Sequence, residues 1–202
     1  MNVLSIDFDW IMGPSIEAYN ILCAGNGEAL DESLKHKMPG VTITADLEKF
    51  QKLCNLVMDK STILRPEDIC ISDFHHDIVG FINSFPEEDE LCICNIDHHH
   101  DCGYYRQPQD LAWNAELNVS NWVAFINEKQ PVTYIWVRNE TATGGQAMGE
   151  SALKSFSSTI DLEAISHIKF DKIFLCRSPE WIPKQYLPLF EVLARILIAG
   201  VH

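Results

Sequence analysis

Residues 97 to 101 read Asp97-His98-His99-His100-Asp101, five consecutive side chains able to bind a metal. They follow Leu91-Cys92-Ile93-Cys94-Asn95-Ile96, a short run that reads as a strand buried on both faces. Clustering such residues at the end of a buried strand is costly, because desolvation and like charge both oppose it unless a cation compensates. The chemistry implied is therefore metal binding. The same pattern recurs: Asp7-Phe8-Asp9 follows Asn2 to Ile6, and Asp73-Phe74-His75-His76-Asp77 follows Ile69 to Ser72. A solvated, His-rich turn without a ligand would explain one such cluster but not three strand ends of the same kind.

These side chains need a scaffold that brings strand ends together. Runs rich in Val, Ile and Cys recur at residues 2–8, 68–74, 90–96, 132–138 and 171–177, continuous rather than alternating. Between them lie stretches with helical spacing. Ala45 to Lys60 repeats Leu47, Phe50, Cys54, Val57 and Met58, with Thr44 available as N-cap. Asn118 to Lys129 places Trp122, Phe125 and Ile126 on one side, capped by Asn118 or Ser120, and Tyr186 to Ala199 is a third. Strands alternating with helices imply an α/β fold of three layers, α/β/α, around a mostly parallel sheet. Ligands in such folds bind beyond the carboxyl ends of the strands. The long irregular stretches 24–42 and 103–118 would then form walls of the site.

A length of 202 residues with 47% hydrophobic content fits one domain spanning residues 1–202. Fifteen basic against 29 acidic residues give a formal net charge of −14, which disfavours nucleic acid and anionic membranes and favours cationic partners. Seven cysteines, several inside strand runs, fit a reducing, cytoplasmic setting, and no secretory signal opens the chain. The apolar stretch Leu187 to Val201 contains Glu191 and Arg195 and is too short to span a bilayer. It suits a core helix or a homo-oligomer contact equally.

In an extended segment residues i and i+2 share a face, so Asp97, His99 and Asp101 are expected to converge while His98 and His100 point elsewhere. The same rule pairs Asp7 with Asp9. A ligand set of carboxylates with one or two imidazoles suits Mn²⁺ better than a thiolate-seeking Zn²⁺. Four carboxylates and two histidines are too many for one ion and about right for two.

At these residues the chain resembles a known family. Asp97-His98-His99-His100-Asp101 is similar to the Asp-x-His-x-Asp motif of the arginase and agmatinase superfamily, and Ser5-Ile6-Asp7-Phe8-Asp9, with Pro14 after it, to that family's Ser-Phe-Asp-x-Asp-x-x-Asp-Pro segment. The resemblance implies two Mn²⁺ ions bridged by Asp97 and Asp7, with Asp101 on one ion and His99 with Asp9 on the other. The remaining ligand, a His at an earlier strand end in the family, maps to His75 or His76. His75 is favoured because it continues the face of Asp73.

In ordinary arginases the Ser-Phe-Asp segment lies late in the chain, so the expected fold is arginase-like with rearranged strand order. The loop that grips a free amino acid is replaced by Cys102-Gly103-Tyr104-Tyr105. Both departures look like the atypical peptide arginases, which convert arginine side chains in ribosomally made precursor peptides to ornithine, releasing urea. The implied partner is an arginine-containing precursor peptide. Asp101 would relay a proton, with His98 and His100 as alternative shuttles, while Glu180 would pair with the guanidinium. Trp181 and Tyr104 would stack on the arginine. Two other readings remain open: an amidinohydrolase or deacetylase-like enzyme acting on a small molecule, and a non-enzymatic metal-binding interaction domain.

Overall fold

The computed structural model of the chain describes residues 1–13, 43–86, 90–103, 116–142, 153–179 and 181–201. Its centre is a six-stranded sheet built from β1 (Asn2–Asp7), β4 (Ile69–Ser72), β5 (Leu91–Asp97), β6 (Val132–Arg138), β7 (Ser155–Thr159) and β8 (Lys172–Cys176). The order is β4-β8-β1-β5-β6-β7, and every neighbouring pair is parallel. Two short strands, β2 (Met12–Gly13) and β3 (Thr44–Ala45), form a separate antiparallel pair.

The helices are α1 (Leu47–Ser61), α2 (Ile78–Asn83), α3 (Trp122–Lys129), α4 (Glu163–Ser166) and α5 (Leu187–Ala199). Because successive side chains of a strand point to opposite faces, the interior divides into two apolar layers. Val3, Ile93, Tyr134 and Phe174 pack with Ile78, Ile82, Trp122 and Ile126 from α2 and α3. On the other face Leu4, Ile6, Ile96 and Leu175 pack with Leu53, Val57, Phe190 and Leu193 from α1 and α5. Helices therefore cover both faces, which gives the expected three layers. Among the described residues no helix is long and apolar enough to cross a membrane.

Local details differ from the sequence reading. The first long helix is capped by Asp46, not Thr44: its carboxylate accepts the backbone N–H groups of Glu48 and Lys49 at 2.9 and 3.0 Å. Thr44 is spent in β3. Helix α3 begins at Trp122 with Asn121 as its cap position, because Asn118 and Ser120 are tied into a turn, where Asn118 Oδ1 accepts the Ser120 N–H at 2.9 Å. The long stretch 24–42 and most of 103–118 lie outside the described residues.

The strand order fixes where a site can form. From β1 the chain moves to the β4 edge, returns to β5 on the other side of β1, steps outward through β6 and β7, and comes back to β8 between β4 and β1. Such a reversal opens a crevice beyond the carboxyl ends of the central strands. Strands β1, β4 and β5 each run into an acid- or His-bearing segment at that end.

Candidate metal centre

Strands β1 and β5 place the first two carboxylates. Ile6 and Ile96 are paired in register, so Asp7 and Asp97 lie side by side one step further on. On its other flank Asp7 pairs with Cys176, and Cys176 with Ser72 at the end of β4. A short 3-10 helix, His75–Asp77, then carries His75 into the site. Asp9 arrives by a 3-10 helix too, Phe8–Ile11, whose N-cap Asp7 accepts the Asp9 N–H at 3.2 Å. Asp101 itself adopts the left-handed conformation, with φ of 51°.

Three carboxylates converge on one imidazole nitrogen. His75 Nδ1 lies 3.2 Å from Asp7 Oδ2, 3.1 Å from Asp97 Oδ2 and 3.0 Å from Asp101 Oδ2. All four residues are almost completely buried. A single Nδ1 carries at most one proton and cannot satisfy three acceptors, and none of the three contacts has hydrogen-bond geometry. One imidazole can offset at most one of the three carboxylate charges, and a cation among these atoms would balance the rest.

A second set adjoins the first. Asp9 Oδ2 lies 3.4 Å and Asp97 Oδ1 3.7 Å from His99 Nδ1. Asp7, His75 and Asp97 form one group, and Asp9, Asp97 and His99 another, in each of which the potential ligand atoms lie within 4.8 Å of one another. This buried Asp/His cluster could hold a metal ion. Asp97 belongs to both groups, presenting Oδ2 to His75 and Oδ1 to His99.

Each oxygen facing His75 also accepts one hydrogen bond from a neutral donor. Ser178 Oγ donates to Asp7 Oδ2 at 2.6 Å, Asn95 Nδ2 to Asp97 Oδ2 at 3.0 Å, and Trp122 Nε1 to Asp101 Oδ2 at 2.6 Å. Neutral donors orient a carboxylate without cancelling its charge, so the negative charge stays available to a cation. Ser5 Oγ sits 2.7 Å from His75 Nε2. With Nε2 so engaged, Nδ1 is the nitrogen turned toward the carboxylates. The imidazole is held between Phe174, stacked at 5.9 Å, and Trp122 at 4.8 Å.

The electrostatics express the same shortage. Burial pushes Asp7 up to about 7, helped by Asp9 and Asp97 and opposed by His75. Burial and Asp97 push Asp101 up to about 7 as well. Burial would raise Asp97 too, but His75 and His99 outweigh it and hold that carboxyl below the usual range. His75 is shifted upward: burial lowers it, and Asp101, Asp7 and Asp97 more than compensate. Clustered carboxylates with one imidazole between them favour a bound divalent cation over protons as pH rises.

The structure brings Asp7, Asp9, His75, Asp97, His99 and Asp101 together and leaves His76 outside. His76 stacks on Phe74 at 5.7 Å, is a third exposed, and faces Asp77. The reason given for preferring His75 does not hold, because Asp73 turns outward to Arg177 at 2.7 Å while His75 turns in. His98 and His100 stay out of both ligand groups, yet they do not turn to solvent. Alternation stops where β5 stops, at Asp97, and both side chains are buried rather than outward-facing. His100 Nδ1 accepts the Cys102 N–H at 3.1 Å, and burial lowers His98 to about 4. Asn121 accepts the Asn118 N–H and donates to Glu116 O. Trp181 is half-buried with its ring 5.5 Å from that of His99. Glu180 and Tyr104 lie outside the described residues.

Sequence reasoning missed Ser5, Asn95, Trp122 and Ser178. For the first two a signal existed: each is a polar residue in an apolar strand, two positions before a site aspartate and on the same face. Comparison of the chain with family models, with curated proteins and with solved structures gives no match.

Proposed function

We propose that the chain is a dinuclear manganese hydrolase that removes the amidine carbon of arginine side chains within a precursor peptide, leaving ornithine and releasing urea. The observation that carries the reading is Asp97, which offers one oxygen to each of two overlapping ligand groups. A carboxylate so placed suits a pair of cations. The all-oxygen and imidazole donor set, without a thiolate in either group, suits Mn²⁺.

In this reading Asp7, His75, Asp97 and Asp101 would hold one cation, and Asp9, Asp97 and His99 the other. When bound, the cations supply Lewis acidity that lowers the pKa of a water toward neutrality. The chain's own side chains do the rest. Asp101 accepts the proton of the attacking water and passes it to the leaving nitrogen as the guanidinium C–N bond breaks. Glu180 pairs with the guanidinium through two parallel hydrogen bonds, and Trp181, beside His99, stacks on its plane. Tyr104 contributes a second stacking surface. Fourteen net negative charges favour the approach of a cationic side chain.

The test is incubation of the Mn²⁺-loaded protein with free arginine, agmatine and arginine-containing peptides, followed by mass spectrometry. Loss of a CH₂N₂ unit per arginine within peptides supports the reading. Turnover of a free small molecule alone assigns the small-molecule amidinohydrolase instead. Bound metal without turnover of any of the three leaves the interaction domain.

A further inference from the structure

We propose that Ser178 is a positioning residue for the metal centre, fixing Asp7 Oδ2 through a hydroxyl that a strained backbone holds in place. This rests on the reading of Asp7 as a metal ligand. Ser178 has φ of 45°, the left-handed region that residues with a Cβ rarely adopt. It is also buried, at 4% exposure. A buried non-glycine residue kept in that conformation points to a side chain that is needed there.

The hydroxyl has a defined task. Its single proton goes to Asp7 Oδ2 at 2.6 Å, the oxygen that also faces His75 Nδ1. Cys176 Sγ lies 3.2 Å from Ser178 Oγ and 3.5 Å from the Asp73 carbonyl oxygen. Glycine would relieve the backbone at this position but could not supply the bond.

The same residue reaches the other half of the site. Its carbonyl accepts the Trp181 N–H at 2.9 Å, which closes a turn, and the Trp181 ring lies against His99. One turn thus touches Asp7 of the first ligand group and His99 of the second.

Two variants separate the hydroxyl from the backbone. Ser178→Ala removes the hydroxyl and keeps the strain, whereas Ser178→Gly removes both. Mn²⁺ affinity, measured by chelator competition without substrate, is expected to fall about tenfold or more in both variants, the usual loss on removing a partner of a metal ligand. The melting temperature of the metal-free protein is expected to be higher for Ser178→Gly than for Ser178→Ala. A purely structural residue would instead lose affinity only where it loses stability. Wild-type affinity in both variants, or no Mn²⁺ binding by the wild type, would overturn the proposal. If the wild type binds Mn²⁺ but leaves arginine peptides intact, the functional reading fails while the affinity result still decides the role of Ser178.

Discussion

Ser5 and Asn95 are register partners in the β1–β5 pair, and each lies two residues before a carboxylate of the candidate metal centre. Together they floor the site with a polar pair, flanked along their strands by the apolar Leu4, Ile6, Cys94 and Ile96. Ser5 holds the far nitrogen of His75 and Asn95 holds an oxygen of Asp97. Two strands 90 positions apart thus place candidate ligands and their supports in the same two rows.

Asn95 gives a direct test of that floor. Its Nδ2 serves Asp97, but its Oδ1 is buried without a hydrogen-bond partner. A buried unpaired acceptor costs about 1–3 kcal/mol. Asn95→Leu, similar in volume, is therefore expected to leave the metal-free protein as stable as the wild type or more so. Its Mn²⁺ affinity should fall roughly 10- to 100-fold. Parallel thermal melts and metal titrations check both halves, and a variant that loses stability but keeps its affinity would contradict the assignment.

Asp97 is the one carboxylate common to both ligand groups. Asp97→Asn should lower the bound Mn²⁺ and reduce turnover by at least about a hundredfold, a larger loss than for a supporting residue. The metal-free fold should persist, because the substitution removes charge from a crowded cluster. Elemental analysis and circular dichroism, read together, separate a lost site from a lost fold.

Adding Mn²⁺ should stabilise the protein. At a free concentration 100 times Kd, binding to the native state alone contributes about 2.7 kcal/mol. For a chain of this size that corresponds to a rise in Tm of roughly 5–10 °C. Chelation should reverse the rise, and a Tm indifferent to Mn²⁺ would count against metal binding at the buried cluster.

The opposite end of the sheet supplies a pH test independent of the metal. Burial raises the carboxyl of Asp68, but hydrogen bonds from Lys172 and Arg65 outweigh it and hold it down at about 2. A folded-state pKa below the unfolded value means stability that is present above pH ~4 and lost as pH falls toward 2. The contribution is about 2 kcal/mol at most. In Lys172→Met the acid-induced loss over this window should shrink, since the partner that depresses Asp68 is gone; an acid transition identical to wild type would refute the pairing.

Much of the fold was legible because strands β1, β4, β5, β6 and β8 carry continuous apolar runs. Strand β7, Ser-Phe-Ser-Ser-Thr, was not: it is an edge strand, largely exposed, with no apolar run to announce it. Helix α2 is six residues long, too short to show a helical period. The ligands were legible as residue types at strand ends. Their geometry was not, since Asp9 and His75 arrive through 3-10 turns and Asp101 itself adopts the left-handed conformation, where strand alternation no longer applies.

The strand order has a consequence for how the protein assembles. β1 lies between β5 and β8, and its register partners are 90 and 169 residues away, as Asn2↔Cys92 and Val3↔Lys172 show. Pairings this distant close large loops and form slowly. Asp7 meets Asp97 only after the first closure, and Ser178 only after the second. A cation held by Asp7, His75 and Asp97 would therefore be bound only once β1, β5 and the β4–β8 pair have come together.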